Sequence, residues 1–201
     1  MQRFPKYPCQ PIEPRSMDQQ QLVKHCLKNN RVSQKLLYDK YKTVMLGVCY
    51  RYTKSVQDAE DILQEGFVKV FTKLKQYKQD GELGAWIRRI MVTTAINHLR
   101  KKASLKEEFS HSLSDMHLVS KDNPEILLNA KELAELIRQL PLGYQTIFNL
   151  HAVEGFTHPE IGEMLGITDS TSRSQYTRAR VILLNKVKNY YFDYKMQAHA
   201  K

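Results

Sequence analysis

From about residue 18 to residue 102 apolar positions recur every three or four residues, and hardly any stretch alternates as a strand would. The spacing predicts helices throughout this half. Leu36, Leu37, Tyr41, Val44, Met45 and Val48 form one apolar stripe; Ala59, Ile62, Leu63, Gly66, Phe67, Val70, Phe71 and Leu74 form a second, cleaner one. Ser55, with Asp58 three residues on, has the form of a capping box with Asp in place of Glu, and it opens the second stripe. A third helix is expected from about Leu83 to Lys101. The pattern then fails over SLKEEFSHSLSDMHLVSKDNP, a Ser-rich polar stretch closed by a proline and read as a linker. Beyond Pro124 it resumes with Ile126, Leu127, Ala130, Leu133, Leu136, Ile137 and Leu140 on one face, until Pro141 halts it.

These patterns predict an all-α protein of two small helical domains joined by a flexible linker, the C-terminal domain containing a helix-turn-helix. The expected boundaries are a flexible leader at 1–17, a first domain at 18–102, a linker at 103–123, a second domain at 124–192 and a tail at 193–201. Four prolines and no helical period mark residues 1–16 as the leader, with Met17 a candidate natural start. The aromatic segment NYYFDYKMQAHAK either caps the second domain or meets a partner, the cap being the simpler reading.

The punctuation of EGFTHPEIGEMLGITDSTSRSQYTRARVILLNKV can be read residue by residue. Gly155 ends one helix, because glycine adopts the left-handed conformation most easily. Thr157 caps the next, with Pro159 in its first turn and Glu160 completing a capping box. Ile161 and Leu165 face inward, Gly166 makes the tight turn, and Ile167 plugs the angle between the helices. Thr168 then caps a longer helix whose first turns can enter a major groove. Ser172, Tyr176, Ala179 and Leu183 share its inward face, while Ser170, Arg173, Ser174 and Thr177 share the outward one. Arginine can hold guanine by two parallel hydrogen bonds, Ser and Thr can reach base edges or phosphate, and Arg178 and Arg180 are placed for a phosphate grip. Ser172 is out of character on an inward face, which a loose helix start or a local hydroxyl-to-carbonyl bond would explain.

Charge adds a second theme. Lys and Arg outnumber Asp and Glu by 31 to 21, a net charge of +10 that suits a polyanion partner. Against that background Asp61, Gln64 and Glu65 concentrate acid and amide around an outward Val68, opposite Phe67 and Val70. Such a face suits something other than DNA. Around Trp86, the sole tryptophan, lie Arg88, Arg89, Arg100, Lys101 and Lys102, with no acid between residues 83 and 106. Cations attract phosphates and an aromatic face can stack on unpaired bases, although Trp86 serves equally as core.

Several classes are excluded or disfavoured. No run approaches the ~18 apolar residues of a membrane span, and the N-terminal segment lacks an apolar signal core. Cys9, Cys26 and Cys49 are too few and too widely spaced for a disulfide framework or a common zinc pattern, and His25-Cys26 reads as a helical surface pair. There is no GxxxxGK[ST] phosphate loop and no HExxH, so no cofactor and no metal is expected.

The stretch DAEDILQEGFVKVF closely resembles region 2.2 of bacterial sigma factors, and Leu140-Pro141 through EGFTHPEIGEMLGI to Arg178-Ala179-Arg180 resembles their fourth domain. GAWIRRIMVTTAINHLRKK is similar to the regions that melt and read the −10 promoter element. On these segments, about two thirds of the chain, the protein resembles the extracytoplasmic-function (ECF) group of sigma factors. The resemblance implies a cytoplasmic, non-enzymatic initiation subunit of RNA polymerase. It implies that Asp61, Gln64 and Glu65 face the β′ clamp, with the β flap as a second polymerase contact. It places Trp86, Arg88, Arg89, Thr93, Asn97, Arg100 and Lys101 at the −10 element, and Ser170, Thr171, Arg173, Ser174, Thr177, Arg178 and Arg180 at the −35 element. An anti-sigma partner is implied as well. Relatives often carry Asn where this chain has Thr93, which cannot make a bidentate amide contact with a base edge. With neither an acidic N-terminal region nor a helical domain between the halves, the layout is the minimal one of the group.

Two rivals remain. LuxR-type activators have a similar helix pair, so a duplex-binding regulator with a helical sensor domain is one; it would bind promoter duplex without polymerase. An unrecognised enzyme is the other, and would show turnover or a stoichiometric metal. The acidic face around Asp61 is what argues for polymerase, since a LuxR-type activator has no use for it.

Overall fold

The computed structural model describes residues 18–78, 81–101 and 129–199, with side chains through Tyr191. The first domain is a helical bundle of α1 (Gln19–Leu27), α2 (Arg31–Tyr50), α3 (Val56–Lys73) and α4 (Leu83–Lys101), with a 3-10 turn at Leu74–Gln76. Asn30 starts α2 by accepting the Ser33 amide at 3.0 Å, and Ser55 starts α3 by accepting that of Asp58 at 3.4 Å. Inward from α2 point Leu37, Tyr41, Met45, Val48 and Cys49; from α3, Ala59, Ile62, Leu63, Gly66, Phe67 and Val70. Val44 departs from the predicted stripe and is 65% exposed. Met45 takes the core direction, and its neighbour stands roughly 100° around the helix from it. The linker expected at 103–123, and Ile126 and Leu127 of the expected stripe, lie outside the described residues.

The second domain consists of α5 (Ala130–Arg138), α6 (Leu142–Phe148), a π-turn at Asn149–Val153, α7 (His158–Leu165) and α8 (Asp169–His199). Asn129 and Glu132 form a reciprocal capping box at the head of α5, and Pro141, which cannot continue that helix, precedes α6. Leu136, Ile137, Leu140 and Tyr144 pack with Ala179 and Leu183 of α8 into a small core. Leu133 of the expected stripe is 38% exposed. α8 runs through the boundary expected at 192 as one helix, since no Gly or Pro interrupts the chain between Asp169 and His199.

The two domains are packed together. Ile147, Leu150, Ile161 and Leu165 of the second belong to the same apolar cluster as the core of the first, and α4 touches α7. Among the described residues no helix is long and apolar enough to cross a membrane, and no group of His, Cys, Asp and Glu could hold a metal ion. Cys26 is buried rather than on the surface, and burial pushes its thiol up to about 11.

Candidate functional site

The helix pair α7–α8 is built as its punctuation predicts. Gly155 has φ 78°, Thr157 and Glu160 form the reciprocal capping box, and Gly166 turns the chain at φ 71°. The tightness of the turn also depends on Gly162, a residue that sequence reasoning passes over. Its carbonyl accepts the amides of Gly166 at 2.8 Å and Ile167 at 3.0 Å, and a Cβ on Gly162 would lie 2.9 Å from the Ile167 carbonyl oxygen. Only glycine lets the two strands of the turn approach this closely. Thr168 caps α8 through the Thr171 amide at 3.1 Å.

Ser172 is fully buried, and its partner comes from the other helix: His158 Nδ1 lies 2.9 Å from Ser172 Oγ. A bond across the turn thus stands in place of the loose helix start or local hydroxyl-to-carbonyl bond that the sequence offered. The His158 ring stacks on His151 at 4.2 Å, and His151 meets Tyr176 edge-on at 4.5 Å. Burial, then the neighbouring His151 and Arg173, hold His158 below its ordinary value and favour the neutral ring. His158 lies within the helix-turn-helix segment but outside its caps and turn, and His151 lies before it, so only tertiary contact reveals their pairing.

On the outward face Ser170, Arg173, Ser174 and Thr177 are exposed side by side, with Arg180 exposed further on and Thr171 and Arg178 half-buried. Ser174 Oγ donates to Thr171 O and Thr177 Oγ1 to Arg173 O, each at 3.0 Å, which leaves their oxygens free to accept. Arg173 Nη2 donates to Asp169 Oδ2 at 2.5 Å, one turn back along the same helix. One carboxylate thereby orients the guanidinium while its remaining donors face solvent.

The predicted −10 residues divide three ways. Trp86, Arg89, Thr93 and Asn97 line one cavity of about 190 Å³ on α4, joined from α3 by Lys69 and Lys73. The two lysines, one turn apart on α3, escaped sequence reading because α3 was read for its acidic and apolar faces. Trp86 is half-buried and leans on Tyr77 at 5.5 Å, so its ring is at once core edge and cavity wall. Thr93 Oγ1 donates to Arg89 O at 2.8 Å, leaving its oxygen as an acceptor. Arg100 and Lys101 are exposed at the end of α4, outside the cavity. Arg88 points elsewhere, with Nε 2.6 Å and Nη2 3.0 Å from the two carboxylate oxygens of Glu154 in the second domain.

The acidic cluster is not uniform either. Asp61 and Gln64 are exposed beside Val68, which is 62% exposed. Gln64 also borders a groove of about 370 Å³ between α2 and α3, whose walls include Tyr38, Leu46 and Leu63. Glu65 turns toward Lys69 at 2.7 Å; the hydrogen bond from that ammonium, with Lys101 and His98 nearby, holds its carboxyl below the usual range. Lys69 donates on to Thr94 Oγ1 at 3.2 Å, linking the acidic face to the basic cavity.

Residues 37–105 match the family Sigma-70 region 2, and residues 130–183 match Sigma-70, region 4. The chain is 28% identical over 179 residues to the ECF RNA polymerase sigma-E factor of Haemophilus influenzae, spanning 84% of this chain and 94% of that one. It is likewise 28% identical over 172 residues to the RNA polymerase sigma-H factor of Pseudomonas aeruginosa, spanning 80% and 89%. Among solved structures it is similar to CnrH in complex with the cytosolic domain of CnrY, at 18% identity and a TM-score of 0.45, over 84% of this chain and 96% of that one.

Proposed function

We infer the function from this premise: the chain belongs to the ECF group of the sigma-70 family, and it directs promoter-specific initiation of transcription. In the reading we favour, Asp61 and Gln64, with Glu65 behind them, dock the first domain on the β′ clamp of core polymerase, and the second domain also meets the β flap. α8 enters the −35 major groove, with Arg173 reading a base and Ser170, Thr171, Ser174, Thr177, Arg178 and Arg180 gripping edges and phosphates. The α3–α4 cavity receives unpaired −10 bases, Trp86 stacking and Lys69, Lys73 and Arg89 neutralising phosphate. Melting draws on these contacts and not on nucleotide hydrolysis, so the chain acts as a cytoplasmic binding subunit without turnover of its own.

The observation that carries this reading is the pairing, in one chain, of a cation- and tryptophan-lined cavity with a helix-turn-helix whose exposed face bears an oriented arginine. Run-off transcription with core polymerase and a promoter library tests it. Start-specific transcripts are expected only when chain and core are combined. Tight promoter-duplex binding by the pure chain, with no transcripts, would instead favour the activator. Replacing Asp61, Gln64 and Glu65 together by alanine should weaken core binding about tenfold or more with the fold intact. Arg173→Ala should cost about 1–3 kcal/mol of discrimination at one −35 base pair. A regulator that covers the acidic face and cavity is the anti-sigma partner this reading implies.

A further inference from the structure

We propose that Glu154 is an internal competitor for Arg88: in the free chain the second domain docks on the C-terminal end of α2 and withdraws Arg88 from nucleic acid. The withdrawal rests on the −10 assignment above; the docking does not.

The C-terminal end of a helix leaves carbonyls without donors of their own. At the end of α2 those carbonyls are met from the other domain. Arg138 Nη1 donates to Tyr50 O at 2.9 Å and to Thr53 O at 3.1 Å, with its guanidinium 3.5 Å from the Tyr50 ring centre. Gln145 Nε2 and Asn149 Nδ2 both donate to Arg51 O at 2.8 Å. In return Lys54 Nζ donates to Arg138 O at 2.5 Å and Leu140 O at 2.7 Å, the free carbonyls at the end of α5. Two helix C-termini thus cap each other across the domain boundary. The π-turn is part of the device, because its extra residue per turn carries Asn149 and Glu154 to the same surface.

Glu154 closes the contact. Its side chain is 5% exposed and accepts from Arg51 at 3.0 Å as well as from two nitrogens of Arg88. Arg88 spends on this carboxylate the paired donors with which a guanidinium grips a phosphate, and it cannot serve both at once. Around this ion pair Tyr52 OH, Arg51 Nε and Asn149 Oδ1 are buried without a hydrogen-bond partner. Unsatisfied buried polar atoms are uncommon in permanent cores, and polar contacts rimmed by them suit a surface that is made and broken. Closure therefore reduces apparent affinity for single strands in proportion to the closed fraction.

The test uses the full chain without polymerase. Small-angle scattering reads its dimensions, and titration with a random-sequence single-stranded DNA pool reads its affinity. Glu154→Gln keeps the shape and removes the charge; Lys54→Met breaks the mutual capping without touching Glu154 or Arg88. Both variants should have a larger radius of gyration than the parent, and both should bind the pool about tenfold tighter. Arg88→Gln should expand the chain yet bind more weakly. Variants as compact as the parent would overturn the docking, and expansion without a gain in affinity would overturn the withdrawal of Arg88. Should the variants expand relative to the parent as expected while neither they nor the parent bind the pool, the DNA assignment fails and the docking stands.

Discussion

Arg88 and Arg173 are both exposed enough to meet DNA and both hold a carboxylate, yet the two pairs differ in where the acid comes from. Asp169 lies four residues before Arg173 on the same helix, and the two side chains are 40% and 62% exposed. Glu154 comes from the other domain, is 5% exposed, and takes Arg51 as well as Arg88. The local pair is carried by α8 alone and moves with that helix, orienting the guanidinium it holds. The pair between domains has to break before Arg88 can reach anything else. A surface pair at i,i+4 adds a few tenths of a kcal/mol, whereas a carboxylate out of water strands whichever partner is left behind. One arginine is thus prepared for use and the other is held in reserve.

The largest effect is expected where the α8 side of the comparison is broken at its foundation. Gly162→Val drives a β-branched side chain into the Ile167 carbonyl, and should destabilise the second domain by about 3 kcal/mol in thermal melting followed by circular dichroism. Next is Glu154→Ala, which leaves two guanidiniums facing a void. With both about a third exposed the loss should be about 2 kcal/mol, and the single melting transition of the packed domains should split in two. A conserved single transition would mean that the shared apolar core alone couples the domains.

Acidification should come third. His158 is held below its ordinary 6.5 in the folded chain, so the folded state resists the proton that the unfolded chain accepts. Stability is full above the ordinary value and is lost as the pH falls through the depressed one. Protonated, His158 would face His151 from the π-turn and Arg173 from α8, with Asp169 only partly offsetting them. The second domain should soften as the pH falls below that ordinary value, and His158→Asn, measured by the same melts, should flatten that slope. Smallest of all, Asp169→Asn should shift stability by less than about 0.5 kcal/mol. It should nevertheless loosen base preference at the position Arg173 reads, in a binding assay across single-substitution duplexes. If Asp169→Asn proved as costly as Glu154→Ala, the contrast between local and borrowed pairs would collapse.

How much was legible follows the same division. Caps and breakers announce themselves in a few adjacent residues, which is why Ser55, Thr157, Glu160, Gly155 and Gly166 all do what their spacing indicates. The apolar stripes were legible to within a residue or two, with Val44 overcounted because a wide stripe does not say which edge the neighbour covers. Ser172 looked like a defect until His158, fourteen residues earlier, supplied its partner. Of the residues read from α4 for the −10 element, Trp86, Arg89, Thr93 and Asn97 share a cavity whose other wall, Lys69 and Lys73, comes from α3, while Arg88 faces Glu154 of the other domain.

By itself, then, the amino-acid order determined the helices, their ends, the helix-turn-helix and the sign of charge on each face, because these arise between residues a turn or two apart. Tertiary structure alone decided which side of a stripe is buried, which helix completes a cavity, and that Glu154 and Arg88, sixty-six residues apart, form an ion pair. Such pairings depend on how two finished helices happen to cross, and no periodicity along the chain encodes that distance.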